Sequence, residues 1–244
     1  TSEPAYRQTA VGVDARNRPE DLADMPRLVA ELRRSGIGCE MLFLRADNDT
    51  LIKRFSETRR RHPLSRAGLG LQEALEQEQR LLAPVANAAD LTVDTSRLSV
   101  HELRELIRER VVERKTSHPS LLFQSFAYRH GVPDDADFVF DARALPNPYW
   151  EPSLRDCTGR DAAVAAFMSR HEEAARFLED VTAFLERWLP SLVRSNRSYL
   201  TIAVGCTGGQ HRSVYLAERL AAHFDGRYGR TLIRHRDLTS RRHE

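Results

Sequence analysis

The sequence predicts an α/β protein with two domains, each built on a parallel, doubly wound sheet. Short apolar runs of strand length alternate along the chain with longer segments of helical spacing. The 244 residues are enough for two domains of ordinary size. Apolar residues make up 41% of the chain, which supplies a hydrophobic core and excludes a wholly disordered protein.

The first domain is predicted over residues 1–114. We expect strands at residues 9–14, 39–44 and 91–94, and helices at residues 19–34, 50–60, 71–88 and 100–114. The last helix begins with the capping box Ser99-x-x-Glu102. Three strands make a thin sheet, and no glycine-rich loop precedes a helix in this part of the sequence. We therefore expect the domain to lack an N-terminal strand, phosphate loop and helix.

The second domain is predicted over residues 115–244. The polar residues 113–120, with Pro119 among them, end the preceding helix and mark the boundary between the domains. We expect strands at residues 121–125, 138–141 and 199–204, and helices at residues 161–168, 172–194 and 213–224. The remaining C-terminal residues form a short basic segment to which the pattern assigns no strand.

Charge and cysteine usage exclude several classes of protein. The net charge is only +2, so the whole chain is not a polycation. Cys39, Cys157 and Cys206 are odd in number and lack CxxC spacing, which argues against a disulfide framework or structural zinc. No apolar run spans a bilayer and no signal segment opens the chain. We therefore expect a cytoplasmic protein with no membrane partner and no metal site.

The strongest local signal is the loop Val204-Gly-Cys-Thr-Gly-Gly-Gln-His-Arg-Ser213, between a predicted strand and a predicted helix. Its glycines let backbone N–H groups converge, and the helix N-terminus, two hydroxyls and an arginine supply further donors. The pattern predicts an anion site, most naturally for phosphate. The residues expected to form it are Cys206, Thr207, Gly208, Gly209, His211, Arg212 and Ser213. The alternative is an ordinary glycine-rich turn.

Cys206 and Arg212 have the six-residue spacing of cysteine-dependent phosphatases, in which a thiolate attacks phosphorus. Asp141 or Asp156 would then have to act as the general acid. Two glycines and a histidine are unusual residues between the cysteine and the arginine of a phosphatase loop. We favour the alternative that Cys206 is a small buried residue at the end of a strand.

Asp141 and Arg143 follow another predicted strand and precede the rigid segment Leu145-Pro-Asn-Pro-Tyr-Trp150. Ligands of open α/β sheets bind at the carboxyl ends of strands, so we expect Asp141 and Cys206 at one pocket. A carboxylate beside an anion site suits a sugar phosphate, and His130 is expected at the rim. The alternatives are a surface ion pair between Asp141 and Arg143 and a structural role for His130.

The C-terminal residues 225–244 hold six arginines against three acidic residues, a net charge of +3. Arginine binds phosphate through paired N–H groups and stacks on bases, so the segment predicts contact with RNA or another polyanion. The residues expected to bind RNA are Arg227, Arg230, Arg234, His235, Arg236, Arg241 and Arg242. A solvated chain terminus is the alternative.

The first predicted strand ends in a polar group of residues. A nucleotide or its metal ion is a candidate ligand at this strand end. The residues concerned are Asp14, Ala15, Arg16 and Asn17. The absence of a partner glycine loop weakens this interpretation.

Four motifs occur together and in order, at residues 56–64, 137–143, 145–150 and 204–213. With them the chain closely resembles, over essentially its whole length, the bacterial RapZ (YvcJ-type) family. The resemblance implies a P-loop kinase-like domain that binds ATP or GTP, here without its Walker A strand, loop and helix. It implies a second α/β domain that binds glucosamine-6-phosphate and small regulatory RNA, presents that RNA to an RNase E-type ribonuclease, and assembles as a homotetramer.

Carried onto this sequence, the resemblance implies contact of GTP with residues 14–17 and of RNA with residues 225–244. The implied sugar-phosphate pocket consists of Asp141, Thr207, Gly208, His211 and Arg212, with His130 and Arg143 nearby. The implied function is an RNA-binding adapter that senses glucosamine-6-phosphate, modulates amino-sugar synthesis and has no catalytic residue. The alternatives are a nucleotide hydrolase, as an ATPase or GTPase, and a phosphatase that depends on Cys206.

Overall fold

The fold is taken from a computed structural model, which describes residues 9–58, 62–65, 69–112, 119–195, 197–228 and 231–238. Contacts along the chain divide it into two compact units, Thr1–Ser96 and Arg97–Glu244. Both units combine parallel strands with helices, which confirms the predicted α/β class. Within the described ranges, no helix is both long enough and apolar enough to cross a lipid bilayer.

The first unit contains three helices and a pair of parallel strands. In chain order the elements are α1 (Pro19–Arg34), β1 (Leu42–Arg45), α2 (Asn48–Thr58), α3 (Leu71–Asn87) and β2 (Leu91–Asp94). Leu42 of β1 pairs with Leu91 of β2, and the two strands stay in parallel register to their ends. Helix α1 packs against α3 and buries Leu22 and Val29 between them. All five elements lie where the apolar spacing predicts them.

The strand predicted over residues 9–14 is wrong. Residues 9–14 have no regular secondary structure, and Val11 is 80% exposed. A strand needs a partner for its backbone N–H and C=O groups, and the sheet in the described part of this unit holds β1 and β2 alone. Alternating valines therefore do not suffice to form a strand here.

The second unit contains a four-stranded parallel sheet with the order β4-β5-β3-β6. Its elements are α4 (Val100–Ile107), a π-helical turn (Arg108–Val112), β3 (Ser120–Ala127), β4 (Phe138–Asp141), α5 (Ala162–Ser169), α6 (Glu172–Arg194), β5 (Tyr199–Cys206), α7 (Arg212–Phe224) and β6 (Thr231–His235). The two central strands are buried along their whole length. The core between sheet and helices includes Phe123, Leu185, Leu189, Leu200, Ile202, Leu216, Leu220 and Phe224.

The contacts divide the chain before α4, whereas the sequence places the boundary in the polar residues 113–120. Arg110, in the π-helical turn, explains why the boundary between the units lies before α4 and not after it. Its side chain is fully buried and donates to Thr201 Oγ1 at 2.9 Å and to the carbonyls of Ser120 and Leu200 at 3.3 Å. Burial lowers the pKa of Arg110 to about 10. These hydrogen bonds fasten the π-helical turn to the sheet of the second unit.

Strand β6 lies in the segment that the sequence leaves without a strand. It pairs with β3 in parallel, so it forms one edge of the sheet. Leu232 is its one buried apolar residue, and Arg234 and His235 occupy two of its five positions. A strand with so little apolar surface has no clear period-two pattern, which is why the sequence analysis missed it.

Candidate functional site

The glycine-rich loop lies between β5 and α7, at the carboxyl edge of the sheet. Ala127 at the end of β3 pairs with Cys206, and Asp141 at the end of β4 pairs with Gly205. The structure therefore brings Asp141 next to the strand that leads into the loop. A Cβ atom built at Gly205 would lie 2.4 Å from the Phe126 ring. Close packing of β5 against that ring requires glycine at 205.

Cys206 lies beneath the loop and does not face solvent. The residue is 2% exposed, and its Sγ lies 3.1 Å from Ser213 Oγ. The N–H of Gly209, which has φ +68°, donates to the same sulfur at 3.2 Å. Cys206 and Ser213 thus hold the loop from within. This geometry favours the interpretation of Cys206 as a buried structural residue and gives no support to a nucleophilic thiolate.

Residues 154–159 hold the start of α7 in place. His211 Nε2 lies 3.0 Å from the carbonyl oxygen of Leu154, to which it donates, and the N–H of Gly159 donates to the carbonyl of Gln210 at 2.8 Å. A Cβ atom at Gly159 would lie 2.3 Å from the His211 carbonyl oxygen and the Tyr215 nitrogen. His211 is buried and serves here as a structural contact at the helix N-terminus.

Arg212 opens α7 and is 5% exposed. Its Nη1 donates to the carbonyls of Arg143 and Leu145 at 2.9 and 3.0 Å, and its Nη2 lies 3.4 Å from Thr207 Oγ1. Its Nε is buried without a hydrogen-bond partner among the described residues. A buried cationic N–H that lacks an acceptor is costly, so this atom of Arg212 can take one further hydrogen-bond acceptor.

The backbone of the loop is open at Gly208, four residues before the start of α7. Thr207 is exposed, and none of the described residues places an atom within 4 Å of a Cβ built at Gly208. The φ of Gly208 also lies outside the left-handed region that favours glycine. Neither packing nor backbone conformation therefore requires glycine at 208. An open backbone at this position leaves room for a ligand close to the N–H groups.

Asp141 and Arg143 form the ion pair that the sequence analysis gave as an alternative. Arg143 Nη2 lies 2.7 Å from Asp141 Oδ2, and hydrogen bonding from Arg143 lowers the pKa of Asp141. The guanidinium carbon of Arg143 lies 3.8 Å from the centre of the Tyr128 ring, and burial raises the pKa of Tyr128. Both charged side chains remain about half exposed, so the pair itself adds little stability. Asp141 stays ionised and accessible at the mouth of the loop.

Asp237 is the main residue of this region that the sequence analysis missed. Its carboxylate side chain is 1% exposed and accepts hydrogen bonds from the Ala127 N–H at 2.8 Å and from Arg97 at 3.0 Å. His130, which was predicted at the pocket rim, lies 2.8 Å from the same carboxylate. Burial alone would raise the pKa of Asp237, but the hydrogen bond from the Ala127 N–H, the charge of Arg236 and the contact with His130 lower it. A lone aspartate in a basic segment gives no sequence signal of this role.

The predicted RNA-binding residues fall into three groups. Arg227 is exposed and pairs with Glu186 at 2.7 Å, and Arg234 lies 3.4 Å from Gln124 Oε1. His235 and Arg236 are buried side chains that fasten β6 and the residue after it to the sheet. The alternative of a solvated tail therefore does not hold for these two side chains, and their contact with RNA stays a prediction. Arg230, Arg241 and Arg242 lie outside the described residues.

The predicted nucleotide contact at residues 14–17 forms a small turn. Asp14 pairs with Arg16 at 2.6 Å, which lowers the pKa of the carboxyl group, and the N–H of Asp14 donates to Asn17 Oδ1 at 3.1 Å. Ala15 is buried. Across the described ranges, no group of histidine, cysteine, aspartate and glutamate side chains is arranged to hold a metal ion.

Comparison with known proteins finds two family models that together cover most of the chain. Residues 1–115 match the RapZ-like N-terminal domain, and residues 119–239 match the RapZ C-terminal domain. A protein of Nitrosococcus oceani named "Nucleotide-binding protein" is 53% identical over 95% of this chain and 82% of its own length. Similar proteins of Thioalkalivibrio sulfidiphilus and Chromohalobacter salexigens are 54% and 52% identical, over 97% and 96% of this chain and 83% and 79% of their own lengths.

Proposed function

This chain belongs to the RapZ family, and from that premise we propose that it is an RNA-binding adapter whose second unit senses glucosamine-6-phosphate. The observation that carries the proposal is the buried Nε of Arg212, which has no partner among the described residues, in a segment whose backbone is open at Gly208. A phosphate monoester supplies the missing acceptor. Its remaining oxygens accept from the loop N–H groups at the start of α7.

The charge at the mouth of the loop favours an amino sugar over a neutral one. Asp141 is ionised and about half exposed, so it can pair with the ammonium group of glucosamine. The sugar thereby presents its phosphate to Arg212 and its ammonium to Asp141. Glucose-6-phosphate offers the same phosphate without the positive charge. We infer that this difference determines the preference for glucosamine-6-phosphate.

The RNA role extends to the C-terminal end of the chain. Asp237 contacts the loop, and the basic residues 241 and 242 follow it closely in the sequence. A polyanion held by these arginines would lie near the sugar-phosphate site. By resemblance, the RNA is a small regulatory RNA, the recipient is an RNase E-type ribonuclease, and the adapter acts as a homotetramer in the cytoplasm.

A nucleotide site is the second part of the proposal. The relatives are named nucleotide-binding proteins, and the first unit has the parallel strands and flanking helices of such a domain. We infer that this unit takes part in binding ATP or GTP, with residues 14–17 as one contact. The resemblance implies no catalytic residue in this chain.

Isothermal titration calorimetry tests the sugar-phosphate site. The chain is titrated with glucosamine-6-phosphate, glucose-6-phosphate and glucosamine. We expect binding of both phosphates and none of glucosamine. Asp141→Asn should lower the affinity for glucosamine-6-phosphate by about tenfold, which is the effect of losing one charged hydrogen bond. The affinity for glucose-6-phosphate should stay nearly unchanged. The exposed Asp180→Asn on α6 is the matched control. Absence of heat with both phosphates would refute the proposal.

A further inference from the structure

Arg143 contacts both ends of the proposed sugar-phosphate site. Its backbone carbonyl accepts a hydrogen bond from Arg212 Nη1 at 2.9 Å, and its side chain forms the ion pair with Asp141. Its backbone N–H also donates to Asp141 Oδ1 at 2.9 Å. The position of Arg143 therefore affects both the arginine assigned to the phosphate and the carboxylate assigned to the ammonium group.

The guanidinium of Arg143 approaches Asp141 as a fork. Its Nε lies 3.0 Å from each carboxylate oxygen, and its Nη2 donates to Oδ2 at 2.7 Å. A carboxylate has about four lone-pair positions, and Arg143, with its backbone N–H included, supplies three nitrogen donors to them. The carboxylate is thus held in one orientation and keeps an acceptor position for the ammonium group of a ligand.

The ring of Tyr128, which directly follows β3, lies against the same guanidinium. The guanidinium carbon of Arg143 is 3.8 Å from the centre of the ring. The ring is itself fixed by packing, since its centre lies 4.9 Å from that of the Phe126 ring, and a Cβ built at Gly205 would lie 2.5 Å from Tyr128 Cε2. Tyr128 therefore provides a rigid aromatic surface for a flexible side chain.

We propose that Tyr128 is a positioning residue that determines the preference of the site for an amino sugar phosphate over a neutral sugar phosphate. The inference rests on the proposed function, because it takes Asp141 as the group that receives the ammonium of the ligand. The Arg143 side chain is half exposed, so rotamers that point into solvent compete with the fork. Attraction between the guanidinium and the face of the ring favours the rotamer that reaches Asp141. Tyr128 acts through Arg143 and needs no contact with the ligand.

Calorimetry on Tyr128→Leu and Tyr128→Phe tests the inference. The quantity to compare is the ratio of the affinities for glucosamine-6-phosphate and glucose-6-phosphate. Leucine removes the aromatic face, so the ratio should fall by about two- to fivefold, the effect of one partly exposed cation–π contact. Phenylalanine keeps the aromatic face and should keep the ratio, and a loss of the ratio in this variant would overturn the inference. A purely structural role of Tyr128 would weaken both ligands equally in Tyr128→Leu, and the unchanged ratio would also overturn it.

A second measurement needs no ligand. Hydrogen bonding from Arg143 holds the pKa of Asp141 below its ordinary value. In Tyr128→Leu the fork is occupied less of the time, so the pKa of Asp141 should rise toward that ordinary value. Carboxyl carbon NMR follows the titration, with the Asp141 signal assigned by its loss in Asp141→Asn. An unchanged pKa of Asp141 in Tyr128→Leu would overturn the inference.

Tyr228→Leu is the matched control. Tyr228 is also a partly buried tyrosine that packs against a phenylalanine, with 6.2 Å between its ring centre and that of Phe224. It follows the C-terminal end of α7, whereas the loop precedes the N-terminal end of that helix. This variant should keep both the affinity ratio and the pKa of Asp141, and a change in either that equals the effect of Tyr128→Leu would overturn the inference.

Arg143→Lys decides the matter if Tyr128→Leu does not fold. Lysine keeps the positive charge but cannot fork to the carboxylate or stack on the ring, so the affinity ratio should fall. An unchanged ratio in this variant would overturn the inference. If the unchanged chain binds neither phosphate, the proposed function itself fails. If it prefers glucosamine-6-phosphate and Tyr128→Leu keeps that preference, only the role of Tyr128 fails.

Discussion

Gly208→Ala separates binding from folding more sharply than any other substitution in the loop. The added methyl group meets no atom of the described residues within 4 Å, and the backbone φ is one that alanine adopts. Replacing glycine by alanine at such a position usually stabilises a protein by about 0.4–1 kcal/mol, because the unfolded chain loses conformational freedom. We therefore expect an unfolding free energy equal to or slightly above that of the unchanged chain.

Gly208→Ala should weaken ligand binding even though it does not destabilise the fold. The methyl group occupies the space in which a phosphate would approach the loop N–H groups. Loss of one hydrogen bond to a charged oxygen costs about 1.5–3 kcal/mol. The affinity for glucosamine-6-phosphate should therefore fall by about 10- to 150-fold. By contrast, Gly205→Ala would press its methyl group to 2.4 Å from the Phe126 ring and should destabilise the fold.

Two measurements test this reasoning on the same samples. Urea unfolding is followed by tryptophan fluorescence, since both tryptophans, Trp150 and Trp188, belong to the second unit. Calorimetry with glucosamine-6-phosphate gives the affinity. Gly38→Ala, in the first unit, is the control for the affinity, because a Cβ there also meets nothing within 4 Å and its φ is not left-handed. Undiminished affinity in Gly208→Ala would refute the placement of the ligand, and a large loss of stability would refute the described loop geometry.

Two further substitutions test the packing around the loop. Burial holds the pKa of His235 below its ordinary value of 6.5, so the unfolded chain takes up that proton at a higher pH than the folded chain does. The unfolding free energy should therefore fall as the pH drops below about 6.5, and His235→Asn should make this fall shallower in urea titrations at a series of pH values. Gly159→Ala forces a Cβ to 2.3 Å from the His211 carbonyl oxygen. It should lower the unfolding free energy by about 1–3 kcal/mol in the same assay. An unchanged unfolding free energy would contradict the described packing of Gly159 against the start of α7.

Most of the fold could be predicted because local patterns and tertiary packing agree. Helix α1 begins and ends at the predicted residues, where a proline at its start and Gly36 just beyond it fix the limits. Strands β3 and β5 are buried on both faces and appear as short, mainly apolar runs. The segment at residues 9–14 has a similar local pattern but pairs with no strand among the described residues, and a local pattern does not specify a pairing partner.

The candidate site was predictable where its parts are adjacent in the sequence. The loop from Cys206 to Ser213 is one continuous motif, so its glycines, hydroxyl groups and arginine could be assigned together. The partners of Arg212 were not predictable, since they are the backbone carbonyls of Arg143 and Leu145, and backbone atoms have no residue signature. Asp237 was missed for a related reason, because its role depends on strand β6, whose charged composition hides it.

The strand that the sequence concealed also changes how the basic C-terminal end should be understood. The charge count alone describes residues 225–244 as one basic segment with a net charge of +3. In the structure, His235 of β6 lies 2.8 Å from Ser125 Oγ and 3.0 Å from the Glu218 carboxylate. The side chain of Arg236 donates to Asp237 and to nearby backbone carbonyls. Both side chains are thus engaged by partners within the second unit. If the chain binds RNA as proposed, substitution of Arg241 and Arg242 by glutamine should therefore reduce the salt dependence of RNA binding more than substitution of Arg236 does.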